Sequence, residues 1–330
     1  MTAPTRRNLQ FALGGLRVLD ALLQCQPDMF RPDFYGMMLM MNRAAPPAWL
    51  WNWITDVEPM VISHPTAVNA TAVTVQICIG LGLMWRPTVR PALALSVPWA
   101  LVVWLFGEMG GGIFVGGGSA LTGAPGPALL YAVSALLLWP RRPDVAAAAA
   151  DGGLIPRSAT PFVWVALWAG TAALESGYLD RSPTYASQAM DTAALTGPGW
   201  LHAAGEAVGG LVGGHGALFA ACAGTVQAAI GLGVLFQRTR RGSLVAGALL
   251  ALFYAVVGQA LGGILSNGIT GIMGSGATDP GTGPIVVLLA LALWPRRAVD
   301  VGSSGPAGAG PTDHAHGAPR EMEESMAGPA

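Results

Sequence analysis

Apolar residues form long uninterrupted runs along the chain, without the strict alternation of a half-buried strand. Stretches such as 67–85, 92–106 and 243–266 contain no charged residue. Runs of this length match the hydrocarbon core of a bilayer, which is about 30 Å thick. Because water cannot satisfy backbone groups there, such segments form helices or barrel strands, and continuous runs favour helices. The pattern therefore predicts an all-α membrane protein.

The pattern also repeats along the chain at a spacing of 151 residues. This shift places VQICIGLGL (75–83) on VQAAIGLGV (226–234), and 15 of 40 positions are identical between 75–114 and 226–265. His64 falls on His215 at the same offset. Composition alone would not maintain one offset over a hundred residues, so the chain is interpreted as a tandem duplication.

Each copy of the repeat contains four apolar segments. We therefore expect eight transmembrane helices, arranged as two parallel four-helix repeats related by a pseudo-two-fold axis along the membrane normal. The expected spans are 9–26, 63–85, 91–108, 126–140, 160–177, 211–236, 242–262 and 282–295. The loops 27–62 and 178–210 are rich in apolar and aromatic residues, which predicts outward-facing interfacial helices.

Arginine clusters alternate with the spans and set the expected orientation. They occur at 6–7, 86–90, 141–142, 238–241 and 296–297. Positive charge favours the cytoplasmic side, so both termini are expected in the cytoplasm of a bacterium, with the protein in its inner membrane. The predicted domains are a first membrane repeat (1–142), a cytoplasmic linker (143–159), a second membrane repeat (160–297) and a disordered cytoplasmic tail (298–330).

Composition excludes several classes of protein. Charged residues make up 11% of the chain and the net charge is −1, which argues against a nucleic-acid partner. Cys25, Cys78 and Cys222 are scattered, with no CxxC or CxxCH spacing. A disulfide framework, a c-type haem or a structural zinc is therefore not expected.

One group of polar residues is predicted near the outer ends of the spans. It comprises His64, His215, Glu108, Glu175, Gln259 and Gln24. If these residues converge across the pseudo-two-fold axis, they can relay protons or bind a transition metal, with His64 and His215 as the candidate ligands. The alternative is that each side chain meets lipid headgroups or caps a helix.

A second candidate is an ionisable pair inside the first span. Arg17 and Asp20 are three residues apart and share one face of a helix. Charged groups at membrane depth are costly and mark functional sites by default. The pair either fixes helix packing or anchors a polar substrate or headgroup. Trp168 and Thr171 stand at the equivalent positions of the second repeat.

The four-span unit, with Arg17 in LRVLDALL, a glycine-marked second span and a glycine-rich outer end of the third, resembles the DoxX/DoxD family of bacterial membrane proteins. That resemblance implies a quinone-associated subunit or membrane scaffold of a redox system, with quinone as the cofactor and a redox protein as a partner. Whether the chain is itself an enzyme, as part of a quinone-linked oxidoreductase, is open. The alternative is a transporter or channel for a small solute or metal ion, because paired glycine-rich breaks in helices are typical of transporters.

Overall fold

A computed structural model describes residues 4–41, 47–114, 118–140, 149–151, 153–177, 187, 190, 198–267 and 278–295. This part of the chain contains eleven α-helices and no strand. The helices are α1 (Arg6–Leu23), α2 (Pro32–Met41), α3 (Ala48–Ser63), α4 (Pro65–Met84), α5 (Val89–Val102), α6 (Pro127–Leu137), α7 (Thr160–Ser176), α8 (Gly199–Val212), α9 (Gly216–Gly233), α10 (Arg240–Val257) and α11 (Thr282–Ala292). A π-helical turn at Val103–Gly107 extends α5.

Four segments are long and apolar enough to cross a membrane. They are Pro65–Met84, Arg86–Gly107, Gly216–Gly233 and Arg240–Val257. Large apolar side chains on these helices face outward; Leu218 and Leu249, for example, are 62% and 61% exposed. Such a surface is costly in water and favourable in lipid. The prediction of an all-helical membrane protein agrees with these features.

Each of the eight predicted spans coincides with a helix, but the other four helices are less suited to crossing a bilayer alone. Helix α1 contains four charged residues, and α7 has 17 residues. Helices α6 and α11 have 11 residues each, a length of about 16 Å. They lie inside the helical assembly, where α6 packs against α5 and α11, and α11 packs against α10.

The predicted interfacial loops contain helices where they are described. In the loop 27–62, a 3₁₀ turn at Pro27–Phe30 precedes α2 and α3. Trp53 on α3 stacks on Phe106 at the end of α5, with ring centroids 6.1 Å apart. The loop 178–210 contains α8, while most of 178–197 lies outside the described residues.

Equivalent contacts hold the first two spans of each half together. In the first half, Gly14 of α1 meets Gly80 of α4 so closely that a Cβ on Gly14 would lie 2.7 Å from the Gly80 carbonyl oxygen. In the second half, Gly231 of α9 faces Val165 of α7 at the same offset of 151 residues. Small residues allow this close approach of helix backbones in membranes.

The turn between the second and third spans also recurs. The Thr88 hydroxyl donates to the Gly82 carbonyl at 2.8 Å, and the Thr239 hydroxyl donates to the Gly233 carbonyl at 2.7 Å. Donor and acceptor are displaced by 151 residues in both cases. The hydroxyl satisfies a carbonyl at a helix end, which otherwise lacks an intrahelical partner.

The described part of the linker packs against the helical assembly. The Ala150 N–H donates to the Ala292 carbonyl, and the Leu154 N–H donates to the Leu136 carbonyl. The predicted disordered tail, 298–330, and residues 143–148 of the linker lie outside the described residues.

Candidate functional site

The principal candidate site is a cleft of about 200 Å³ between α3, α4 and the outer end of α5. Its walls are mostly apolar. They are formed by Phe34, Ile54, Val57, Val61, Val68, Ala72, Val102, Val103 and Phe106. Polar side chains are concentrated at Gln24, Tyr35, Glu58, Asn69, Gln76, Trp99, Glu108 and Thr278. An apolar cavity with a few placed polar groups is the usual form of a small-molecule site.

Three buried polar atoms in this cleft have no hydrogen-bond partner among the described residues. They are Oε1 of Gln24, Oε1 of Gln76 and Nε1 of Trp99. Gln76 is 3% exposed and lies near the middle of α4. Buried polar atoms are almost always hydrogen-bonded in native proteins, because an unpaired group loses its hydration without compensation. The cleft therefore presents both a donor and acceptors to a ligand.

Neighbouring polar groups in the cleft are already bonded to each other. The Asn69 amide donates to the Gln24 carbonyl at 2.8 Å, and the Tyr35 hydroxyl donates to Asn69 Oδ1 at 3.5 Å. Burial raises the pKa of Tyr35 to about 12, so its hydroxyl remains a donor at neutral pH. These bonds fix the α1–α4 corner next to Gln76.

Glu108 closes the inner end of the cleft and begins the next helix. Its carboxylate accepts a hydrogen bond from the Ala128 N–H at 2.9 Å, at the first turn of α6. Gly126 precedes that helix with φ +94°, and a Cβ there would lie 2.2 Å from Glu108 Oε2. Glycine is required here both for the backbone conformation and for the approach of the carboxylate.

The chain reverses direction immediately after Glu108 through four residues with positive φ, Met109–Gly112. The same left-handed turn follows Gln259, at 260–263, where Ala260 and Leu261 are not glycine. A non-glycine residue with positive φ is uncommon and strained. Both copies retain the turn despite this cost, which keeps Glu108 and Gln259 at the start of the following helix.

The corresponding region of the second half is filled with side chains. Val208, Val212, Phe219, Leu250, Tyr254 and Val257 are the equivalents of cleft residues, and they belong to one apolar cluster. Leu121 and Met190, both fully buried, complete that cluster. Tyr254 replaces Val103 of the first half. The duplication thus retains an open cleft in the first half and a packed core in the second.

Glu175, which aligns with Gln24, is completely buried in that second region. The Gln227 amide donates to Glu175 Oε1 at 3.3 Å and to the Tyr254 hydroxyl at 3.4 Å. Gln227 is the equivalent of Gln76. Here a polar network formed by the protein occupies the place that is open in the first half.

The second sequence candidate, Arg17 and Asp20, forms a buried cluster with Tyr131 of α6. The Arg17 guanidinium lies 3.8 Å from Asp20 and 3.8 Å from the centre of the Tyr131 ring. The Tyr131 hydroxyl donates to Asp20 at 3.1 Å. All three residues are 2% exposed. The cluster joins the first and last spans of the first half, as the packing interpretation predicts.

Asp279 lies in the loop before α11, next to cleft residue Thr278. Its carboxylate accepts a hydrogen bond from the Gly281 N–H at 2.7 Å. Burial raises the pKa of Asp279, and this effect is opposed by the hydrogen bonds from Gly281 and Thr278 and by the Arg17 guanidinium. Asp279 therefore lies within electrostatic range of the Arg17 cluster, a relationship across the two halves that sequence spacing did not predict.

The remaining members of the predicted outer site are distributed elsewhere. Gln259 accepts from the Thr282 N–H at 3.0 Å and starts α11. His64 and His215 are exposed at helix boundaries, where their Nδ1 atoms bond Ser63 and the Gly213 carbonyl. Within the described residues, no three His, Cys, Asp or Glu side chains are close enough to hold a metal. The structure brings Gln24 and Glu108 together but places Glu175, Gln259 and the histidines separately.

Sequence reasoning missed three residues that define these sites: Gln76, Trp99 and Tyr131. A signal existed for Gln76, because a glutamine recurs at the same position of two otherwise apolar spans. Trp99 and Tyr131 resemble ordinary membrane aromatics, and no pattern distinguishes them. No protein-family model matches the chain, and neither curated proteins nor solved structures include a significant match to it.

Proposed function

We propose that this protein is an integral membrane protein that binds a lipid-soluble quinone in the cleft between α3, α4 and α5. It would serve as a quinone-associated subunit or membrane scaffold of a redox system. The observation that carries the proposal is the cleft itself, with apolar walls and unpartnered polar atoms of Gln24, Gln76 and Trp99. A quinone ring is flat and apolar and carries two carbonyl acceptors; the reduced form carries two hydroxyl donors.

The polar groups suit both redox forms of such a ring. The Trp99 indole N–H donates, and matches a quinone carbonyl. Glutamine amides accept through Oε1 and donate through Nε2, so Gln24 and Gln76 can serve a carbonyl or a hydroxyl. Glu108, at the inner end of the cleft, is a carboxyl group that can exchange a proton with the bound ring.

The proposed membrane arrangement is eight spans in two parallel repeats, in the inner membrane of a bacterium, with both termini in the cytoplasm. Arginine side chains support this orientation. Arg7, Arg90 and Arg240 donate to the carbonyls of Leu83, Pro140 and Leu293, all at or just after the ends of helices. These contacts place positive charge at one set of helix ends, as expected for the cytoplasmic side.

The redox partner in this proposal is a separate protein, because the sequence contains no c-type haem motif. The chain would supply the quinone site and a docking position in the membrane. The bilayer is its second partner. Solute or metal transport is the competing function that the experiment must distinguish.

The direct test is titration of the purified protein in nanodiscs with a short-tailed benzoquinone and a short-tailed naphthoquinone. We expect saturable binding of one molecule per chain, and an affinity at least tenfold lower in Trp99→Phe, which loses the indole N–H. Trp85→Phe is the control, because Trp85 is 65% exposed and does not line the cleft.

Failure to bind either quinone, with no quinone in the lipid extract of the purified protein, would overturn the proposal. Uptake of a solute into proteoliposomes under those conditions would favour the transporter. Equal binding by Trp99→Phe and the parent protein would move the quinone away from this cleft.

A further inference from the structure

A second cavity, separate from the cleft, lies between α6 of the first half and α7 of the second half. It is an apolar groove of about 380 Å³. Leu129 and Val133 of α6 form one wall, and Val163, Ala166, Gly170 and Leu174 of α7 form the other. The groove shares no lining residue with the quinone cleft.

The groove exists because one contact between the halves is not repeated. Helix α1 packs directly against α11. Under the duplication, the equivalent helices are α7 and α6, and these face each other across the groove. Gly170 occupies the position of Leu19 in the first half, and a Cβ on Gly170 would meet no atom within 4 Å. The missing side chain leaves space that the other side of the molecule does not have.

The lining of the groove selects a hydrocarbon occupant. Thr171 supplies the one side-chain hydroxyl of the lining, and it already donates to the Trp168 carbonyl at 3.1 Å. A buried water needs two to four polar partners, which this lining does not offer. Protein interiors rarely keep voids larger than a water molecule. An apolar chain is the occupant that the lining accommodates without an unsatisfied polar group.

The size of the groove selects a single chain over a helix of a second protein. A helix with side chains is about 10 Å across, so a segment as long as α6 occupies on the order of 1,000 Å³. That exceeds the groove several times. A peptide in another conformation would bring unsatisfied backbone groups into an apolar site.

We infer that the groove between α6 and α7 binds one acyl chain of a membrane phospholipid. The inference rests on the membrane placement given in the proposed function, but not on quinone binding by the cleft. The bound chain would complete the packing between the two halves, in place of the direct contact that α1 makes with α11.

The test compares Gly170→Leu with the parent protein by native mass spectrometry after mild detergent extraction. Leucine is the residue that the first half has at this position. We expect about one phospholipid retained per parent chain and at least a tenfold lower retained fraction in Gly170→Leu. Gly210→Leu is the control, because Gly210 is also helical with open space around it and lies outside the groove. A spin-labelled phospholipid should lose a matching immobilised fraction in the electron paramagnetic resonance spectrum.

Each other outcome overturns the inference. Retention of the phospholipid by Gly170→Leu places it elsewhere. Loss of a copurified quinone in place of phospholipid identifies an isoprenoid chain as the occupant, and conversion of a dimer to a monomer identifies a second copy of this chain. Quinone binding by the cleft is measured on the same variants, so failure of the groove and failure of the cleft are distinguishable.

Discussion

Glu108 and Gln259 are 151 residues apart, and each accepts a hydrogen bond from a backbone N–H at the start of the following helix. The distances are 2.9 Å to Ala128 and 3.0 Å to Thr282. An amide oxygen therefore performs in the second half what a carboxylate performs in the first. The charge of Glu108 is not needed for this structural task, and it is available for chemistry in the cleft.

Substitutions of Glu108 should separate these two roles. Glu108→Gln retains the acceptor, so its free energy of unfolding should stay within about 0.5 kcal/mol of the parent. Glu108→Ala removes the acceptor at the first turn of α6 and should cost about 1 kcal/mol. Unfolding monitored by circular dichroism in detergent measures both. A large loss of stability in Glu108→Gln would show that the carboxylate itself holds the fold.

Gln76 and Gln227 offer a matched pair for locating the ligand. Gln76→Leu removes an unpartnered amide from the open cleft and should lower quinone affinity roughly tenfold, the effect of one hydrogen bond of about 1.4 kcal/mol. Gln227→Leu removes a hydrogen bond to buried Glu175 and should lower stability by about 1–3 kcal/mol with quinone affinity unchanged. Titration and unfolding on both variants check this, and equal affinities for the two would contradict it.

Two neighbouring glycines of α1 test the close contact with α4. Gly14→Val places a side chain 2.7 Å from the Gly80 carbonyl oxygen and should cost about 1–3 kcal/mol, because helix backbones must separate. Gly15→Val meets its nearest atom at 4.0 Å and should change stability by less than about 0.5 kcal/mol. Thermal unfolding in one detergent compares them. Similar losses for both would place the α1–α4 contact elsewhere.

The Arg17–Asp20 pair should behave non-additively. Arg17→Met leaves Asp20 buried without its cation and should cost about 3 kcal/mol or more. Asp20→Asn keeps an acceptor for the Tyr131 hydroxyl but leaves the guanidinium unpaired, with a similar cost. The double variant should lose less than the sum of the two. A double-mutant cycle of unfolding free energies measures the coupling, and strict additivity would argue against a functional or structural pair.

Asp279 should make stability depend on pH. Burial raises its pKa in the folded protein, so the folded state favours the neutral acid. That contribution is fully present below the ordinary pKa of about 4 and is lost as pH rises through the folded value. Asp279→Asn keeps the acceptor for Gly281 and should be more stable than the parent at pH 8, with little difference below pH 4. Unfolding measured across this range gives the result, and a variant less stable at every pH would contradict it.

Particular residues show how far the sequence reached. The apolar runs located all eight helices within a few residues, because hydrophobic length is a local property of the chain. Gln24 and Glu108 were expected at similar depth, and both line the cleft. His64 and His215 were grouped with them because they share the repeat offset. An offset records common ancestry of two positions, but not the distance between them.

The sequence by itself determined the helical membrane character, the positions of the spans and the correspondence between the two halves. The tertiary structure alone decided that the cleft is open in the first half and filled by Leu121, Tyr254 and Met190 in the second. It also decided that α6 and α7 leave a groove where α1 and α11 touch. These outcomes depend on how side chains from distant segments fill the same volume, and hydrophobic pattern constrains which residues are buried far more tightly than it constrains which of them meet.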